Sequence, residues 1–352
     1  MKAKKLLSKL NGWQLFNLIS LLVIAGILLG VVVGNQGING LLDKWGSLDL
    51  RWVVAAVSCV VCFWVLEALA LHWLVTCLYR GVPFHSTMRT TMIGQLYSAL
   101  TPFSTGGQPV QLMYMHRDGL DTGGGASVLI VKSIIYQVGI ILMALIPLFT
   151  SFGFFRDQVP TFGWLAAFGF GINLLVTLGM LLLAIYPRAT RKLYAIGAKI
   201  LHFFHIVRDV DAAIAKAQTQ FDIYHESTLR YEKKRGSLCG VLVLTVTQLL
   251  LLYLVPYMIY RAFSYQEPGM AIHLISAVAF VSMVSAFVPL PGGSGGAEGT
   301  FLLFFALLFR QPDLLVAMLL WRLITYYLGI IIGALVMLVS RKRQRAVVRL
   351  PM

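Results

Sequence analysis

Long uninterrupted apolar runs decide what this chain can fold into. They lie at about 13–34, 52–79, 124–150, 163–186, 237–260 and 313–340, and each reaches the ~20 residues an α-helix needs to cross a bilayer. In hydrocarbon the backbone must satisfy its own hydrogen bonds, so such runs form helices. Composition agrees: 58% of residues are apolar, 12% are charged and the mean hydropathy is +0.80. An average soluble domain has about 45–50% apolar and roughly 25% charged residues. A soluble enzyme, a disordered chain and a disulfide scaffold are therefore excluded. The first run follows Lys2, Lys4, Lys5 and Lys9 without a small-residue cleavage site, so it reads as a retained span.

The net charge of +15 would point to nucleic acid in a soluble protein. Here it reads as topology and attraction to an anionic membrane surface, with no nucleic-acid partner. With the N-terminus, the 187–236 segment and the tail in the cytoplasm, 22 of the 29 Lys and Arg lie inside. Five lie outside: Lys44, Arg51, Arg156, Arg261 and Arg310. This positive-inside split predicts a multi-pass protein of the cytoplasmic membrane with both termini cytoplasmic. Two further apolar segments, 84–118 and 271–310, are broken by Gly and Pro. Under this orientation each enters and leaves on one side, so each is expected to be a re-entrant helix hairpin; if instead both cross, the topology is redrawn. The tips are Thr101–Pro109 and Pro289–Glu298.

The expected fold is thus an all-α integral membrane protein, a single domain over 1–352, with about six full spans and two re-entrant hairpins. The connector at 187–236 carries Leu193, Ile196, Ile200, Phe203, Val207, Val210 and Ile214 at spacings of three and four. That is an amphipathic helix, either lying at the interface with basic residues toward headgroups or closing the bundle.

Shifted by 190 residues, the sequence resembles itself. Ser104, Gly106 and Gln108 align with Ser294, Gly296 and Glu298, and the fourteen residues from Lys132 align with those from Arg322 at seven identities. Apolar identities count for little; a cation, a tyrosine (Tyr136, Tyr326) and a glycine (Gly139, Gly329) in each copy count for more. The charge map opens one copy (about 52–150) to the cytoplasm and the other (about 237–340) to the exterior. This inverted-topology repeat is an arrangement of transporters whose site lies between repeats near the midplane.

Lys132 and Arg322 are the first candidates for chemistry, because a cation inside a span costs ~2.5–3.5 kcal/mol and normally faces the interior and a partner. Tyr136 and Tyr326 follow four residues later on the same helix face. A cation and a phenol from each repeat, near Gly-rich tips and helix N-termini, would suit the phosphate of a lipid headgroup. The competing reading is a structural ion pair, for example Arg322 with Glu298. Gly106, Gly107, Gly292, Gly293, Gly295 and Gly296 would allow close backbone approach, or simply tight turns. Ser104, Thr105, Gln108, Gln111 and Ser294 would supply hydrogen bonds. Glu298, Glu67 and His72 are candidates for a coupling proton or an ion pair. Cys59 and Cys62 lie inside an apolar helix and read as packing residues. The sequence carries no Walker A, zinc-protease or dinucleotide signature, so neither a cofactor nor a catalytic residue is expected.

At the tip residues Thr101 to Gln111 and Pro289 to Glu298 the chain resembles the lysylphosphatidylglycerol synthase transmembrane family, also called the flippase-like or UPF0104 family. The resemblance implies a domain that moves lipid between leaflets, as in the multiple peptide resistance factor, where a soluble synthase domain makes aminoacylated phosphatidylglycerol. This sequence ends shortly after its last span, so lysyl transfer is not expected of it. The expected partner is a phospholipid, an aminoacylated phosphatidylglycerol or a polyprenyl-phosphate lipid. The alternatives are an intramembrane lipid-modifying enzyme using Glu67, His72 or Glu298, and a protein that presents lipid to a separate synthase. The sequence does not specify an oligomeric state.

Overall fold

A computed structural model describes residues 44–159, 162–203, 210–285, 288, 290–340 and 348–349. The expected first span at 13–34 and most of the basic tail lie outside these residues. Twelve described helices follow: α1 (Leu50–Leu78), α2 (Phe84–Leu100), α3 (Gly107–Arg117), α4 (Thr122–Thr150), α5 (Phe152–Gln158), α6 (Phe162–Ile185), α7 (Pro187–Phe203), α8 (Val210–Glu232), α9 (Arg235–Ala262), α10 (Met270–Ser285), α11 (Gly296–Phe305) and α12 (Gln311–Val339). Among the described residues five are long and apolar enough to cross a membrane, namely α1, α4, α6, α9 and α12. They coincide with five of the six expected spans.

Local chemistry sets where the spans begin. The Asp49 carboxylate accepts from the Arg51 N–H at 2.9 Å and starts α1. The Asp121 carboxylate accepts from the Gly124 N–H at 2.6 Å and starts α4. Each satisfies a donor that the first helical turn leaves open. Small residues then let the spans approach closely, as lipid supplies no hydrophobic drive between helices. A Cβ at Gly333 of α12 would press on Leu96 and on the Met92 carbonyl of α2, and one at Gly240 of α9 on the Trp73 ring of α1.

Both broken segments are helix–turn–helix units. At ~1.5 Å per residue, α3 and α11 are roughly 17 and 15 Å long, about half the hydrocarbon thickness. Hairpin α2–α3 folds back on itself, for Ser98 faces Gly107 and Gly94 faces Gln111. Hairpin α10–α11 is seated by aromatic edge contacts: Phe280 against Phe162 of α6 at 4.7 Å and Phe304 against Phe155 of α5 at 5.4 Å. The two tips meet in one antiparallel backbone bridge between Pro102 and Pro291.

Several cations are held near the helix ends. At one end Lys44 pairs with Asp313 at 2.5 Å, Arg261 stands over Trp52 and Arg310 over Tyr265. At the other, Arg89 pairs with Asp118, Arg117 stands over Tyr114, and Lys234 donates to the Cys77 carbonyl at 2.8 Å. There Tyr79–Arg80 also pairs antiparallel with Val348–Arg349 of the tail. Between the ends the exterior is apolar, with Phe149, Trp164 and Leu338 more than 70% exposed, which a bilayer covers.

The connector forms two helices rather than one. On α7 Leu193 and Ile196 are exposed, as for a helix on a membrane surface. Helix α8 packs along α4, where the Gly123 N–H donates to the Gln220 side chain at 2.8 Å. The predicted amphipathic stretch is divided between these two helices, and Val207 lies outside the described residues.

Candidate functional site

Behind the bridged tips lies a cavity of about 620 Å³ walled by α1, α2, α3, α4, α6, α9, α10 and α12. Its polar wall is built on α4, where Lys132, Ser133, Tyr136 and Gln137 fall on adjoining turns. Lys132 Nζ donates to Glu67 Oε1 of α1 at 2.8 Å, and Gln95 Nε2 of α2 donates to the other oxygen of the same carboxylate. The side chains of Lys132 and Glu67 are 13% and 9% exposed. This satisfied network keeps a buried carboxylate and a buried ammonium together.

Of the tip 1 residues predicted from sequence, Ser104, Gly107, Gln108 and Gln111 line this cavity. Gln108 Nε2 donates to the Ser133 hydroxyl at 2.8 Å, tying the start of α3 to α4 beside Lys132. Thr105 and Gly106 do not line it: the Thr105 hydroxyl donates to the Pro102 carbonyl, and the Gly106 N–H to the Thr101 hydroxyl. From tip 2, Gly292 and Gly293 reach the cavity, as does Tyr326 of α12. Ser294, Gly295 and Gly296 do not; the Ser294 hydroxyl is buried on the Pro291 carbonyl at 2.7 Å.

Arg322 departs from the expectation of one shared cation site. It is 4% exposed and does not line the cavity. Its Nε lies 2.8 Å from Glu298 Oε1, and its Nη1 donates to the Gly292 carbonyl at 3.4 Å. Glu298 in turn accepts from the Gly295 N–H at 2.6 Å. The guanidinium thus braces tip 2 through the carboxylate that caps α11, the ion pair foreseen as the alternative. Nη2 has no hydrogen-bond partner among the described residues. Glu67 joins the cavity through Lys132. His72 does not; its ring packs edge-on against Phe84.

The tips share one turn. The Thr105 N–H donates to the Pro102 carbonyl and the Ser104 N–H to that of Thr101; the Ser294 N–H donates to the Pro291 carbonyl and the Gly293 N–H to that of Leu290. These pairs stand 189 residues apart, as do the starts of α3 and α11 and of α4 and α12. The 190-residue alignment is therefore one residue out at the tips, and Ser104 matches Gly293 rather than Ser294. A π turn at Leu323–Tyr327 of α12 lies between the helix start, which keeps the 189 spacing, and Gly329, which keeps 190, and a π bulge adds one residue to an α-helix.

At these turns Phe103 and Ser104 have φ of +52° and +55°, against +61° and +63° for Gly292 and Gly293. Left-handed backbone costs a non-glycine residue on the order of 1–2 kcal/mol. Phe103 lines the cavity and was missed from sequence, as were Gln95, Ser98, Gln137 and Asn173. A signal existed for two of them: Gln95 and Ser98 recur three residues apart beside Gly94 in an apolar segment, and point the same way on a helix. Among the described residues no three His, Cys, Asp or Glu side chains gather to hold a metal.

The profile of the family described as lysylphosphatidylglycerol synthase TM region matches residues 17–333. A UPF0104 membrane protein of Archaeoglobus fulgidus is 25% identical over 333 residues, covering 88% of this chain and 95% of that protein.

Proposed function

The chain belongs to the lysylphosphatidylglycerol synthase TM region family, and on that premise we propose that it moves a phosphate-bearing lipid between leaflets of the cytoplasmic membrane. The observation that carries this reading is the cavity: both tips and Lys132 contribute to one polar chamber inside an apolar exterior. A headgroup enters that chamber while its acyl chains stay in the bilayer. Its phosphate takes Lys132 from Glu67 and meets Gln108, Ser133 and the backbone at the start of α3, where the helix dipole favours an anion. The protein works by alternating access and carries out no catalysis, with Lys and Arg bias placing both termini in the cytoplasm.

An inverted repeat underlies the mechanism. It is supported by the shared turn and by the pairing of Pro102 with Pro291, because a two-fold axis between repeats sets equivalent residues antiparallel. Rocking one repeat against the other about this contact moves the opening from one leaflet to the other.

The test is a leaflet-exchange assay in proteoliposomes with headgroup-labelled phosphatidylglycerol, phosphatidylethanolamine, lysylphosphatidylglycerol and a polyprenyl phosphate. Wild type exchanges one of these classes, and Lys132→Ala lowers the rate at least tenfold. Absence of exchange for all four by folded protein overturns the reading.

A further inference from the structure

The two tips make one turn with different residues. Phe103 occupies the position that Gly292 occupies in tip 2, and both have positive φ. Glycine takes this backbone freely and phenylalanine does not. Strain of this kind persists where the side chain has work that the surroundings enforce.

Tip 2 indicates what that work is. A Cβ at Gly292 would run into the Tyr326 ring, so the ring fills the place of the missing side chain. From there the Tyr326 hydroxyl donates to the Ala99 carbonyl of the other hairpin at 2.9 Å. A tyrosine thus lies across the tip 2 glycine and ties this turn to the other hairpin. On tip 1 the same place is taken by the side chain of Phe103, which is 53% exposed and faces the cavity. Tyr136, the residue aligned with Tyr326, lines the cavity instead of crossing the turn.

We propose that Phe103 is a wedge that holds Tyr136 off tip 1 and keeps the headgroup cavity open there, while Gly292 lets Tyr326 close tip 2. The inference rests on the reading of the cavity as a headgroup site. Without the wedge, Tyr136 swings onto tip 1 and donates to the carbonyl of Val288, which precedes Pro291 by three residues as Ala99 precedes Pro102. Phe103 is therefore a positioning residue: it acts on lipid binding through Tyr136.

A double-mutant cycle on the full chain in detergent tests this, because coupled residues are non-additive. The variants are Phe103→Gly, Tyr136→Phe and both together; the readouts are melting temperature without lipid and Kd for dihexanoylphosphatidylglycerol. With Tyr136 present, Phe103→Gly raises the melting temperature by about 2 °C or more and weakens lipid binding at least tenfold. In the Tyr136→Phe background the loss of binding vanishes, since no hydroxyl remains to latch, and only the smaller rise in melting temperature owed to relief of the positive φ at 103 remains. Phe103→Leu keeps a wedge and behaves as wild type. Equal effects in both backgrounds, a lowered melting temperature for Phe103→Gly, or wild-type behaviour of that variant each overturn the proposal. If the wild type fails to bind this lipid, phosphatidylglycerol is excluded as the headgroup, while the melting-temperature cycle still decides the wedge.

Discussion

Lys132→Met separates a functional cation from a structural one. At 2.8 Å and an effective dielectric of ~20, the attraction between Lys132 and Glu67 is about 6 kcal/mol, most of it opposed by the cost of removing both charges from water. Removing one partner of a buried pair leaves the other charge stranded and costs about 3–5 kcal/mol. Little solvent screening reduces that figure, because both side chains are nearly buried. Gln95 stays on the carboxylate but carries no charge. The single variant should therefore melt well below wild type. Adding Glu67→Leu removes the stranded carboxylate and should recover stability to within about 1 kcal/mol, as apolar replacement of a buried pair is often neutral. Thermal melts in detergent measure stability, and the leaflet-exchange assay measures function on the same preparations. If Lys132 holds the headgroup, the double variant is stable and still exchanges lipid at least tenfold more slowly. Recovery of wild-type exchange together with stability would refute a binding role.

Other consequences are as specific. Gly333→Ala should destabilise by about 1–3 kcal/mol, because its methyl group meets the Met92 carbonyl and the Leu96 side chain of α2; unchanged melting would mean that α2 and α12 are not packed this closely. Tyr326→Phe removes the hydrogen bond to Ala99 and should cost about 1 kcal/mol while increasing protease cleavage at a site engineered into tip 2; equal cleavage counts against the closed tip. His225 on α8 is held below the ordinary histidine range, first by burial and then by Arg191. Its folded pKa is depressed, so the unfolded chain takes the proton first as pH falls. The stability is complete above about pH 6.5 and declines below it. His225→Gln should flatten the melting-temperature profile between pH 7 and 5, and an unaltered slope would exclude this linkage.

The spans were legible because a bilayer imposes one simple demand, an unbroken apolar run, and α1, α4, α6, α9 and α12 meet it. The hairpins were legible for the opposite reason. Pro147 and Pro256 sit inside unbroken spans, but four glycines between Pro291 and Ala297, and Pro102 with Gly106 and Gly107, concentrate helix-breaking residues where the structure has its tips. Pairing was harder to read. Glu67 lies in α1 and Lys132 in α4, 65 residues apart, and no periodicity links two helices across a bundle. Glu298 was easier, since it lies at the start of α11 where a carboxylate suits the exposed N–H groups. Phe103 escaped notice because strain is a property of φ, which an aromatic side chain in an apolar segment does not announce.

Sequence also brought Lys132 and Arg322 into one site that the fold divides. The reason lies in the π turn that begins one residue after Arg322. An added residue turns the helix before it by ~100° relative to the helix after it. Gly139 and Gly329 keep the 190-residue spacing beyond the turn, whereas the tips and helix starts keep 189. Lys132 thus faces the cavity while Arg322, which the 189-residue spacing sets one position further on, faces Glu298 and the Gly292 carbonyl. Two cations turned in this way cannot grip one phosphate together in this arrangement. For the proposed carrier, a single static site would gain nothing from the second cation, which is buried and whose Nη2 has no hydrogen-bond partner among the described residues. A carrier that opens one repeat at a time has use for both. Under the alternating access proposed above, Lys132 would serve the half that is open, and Arg322, paired with Glu298 on the first turn of α11, would brace the half that is shut.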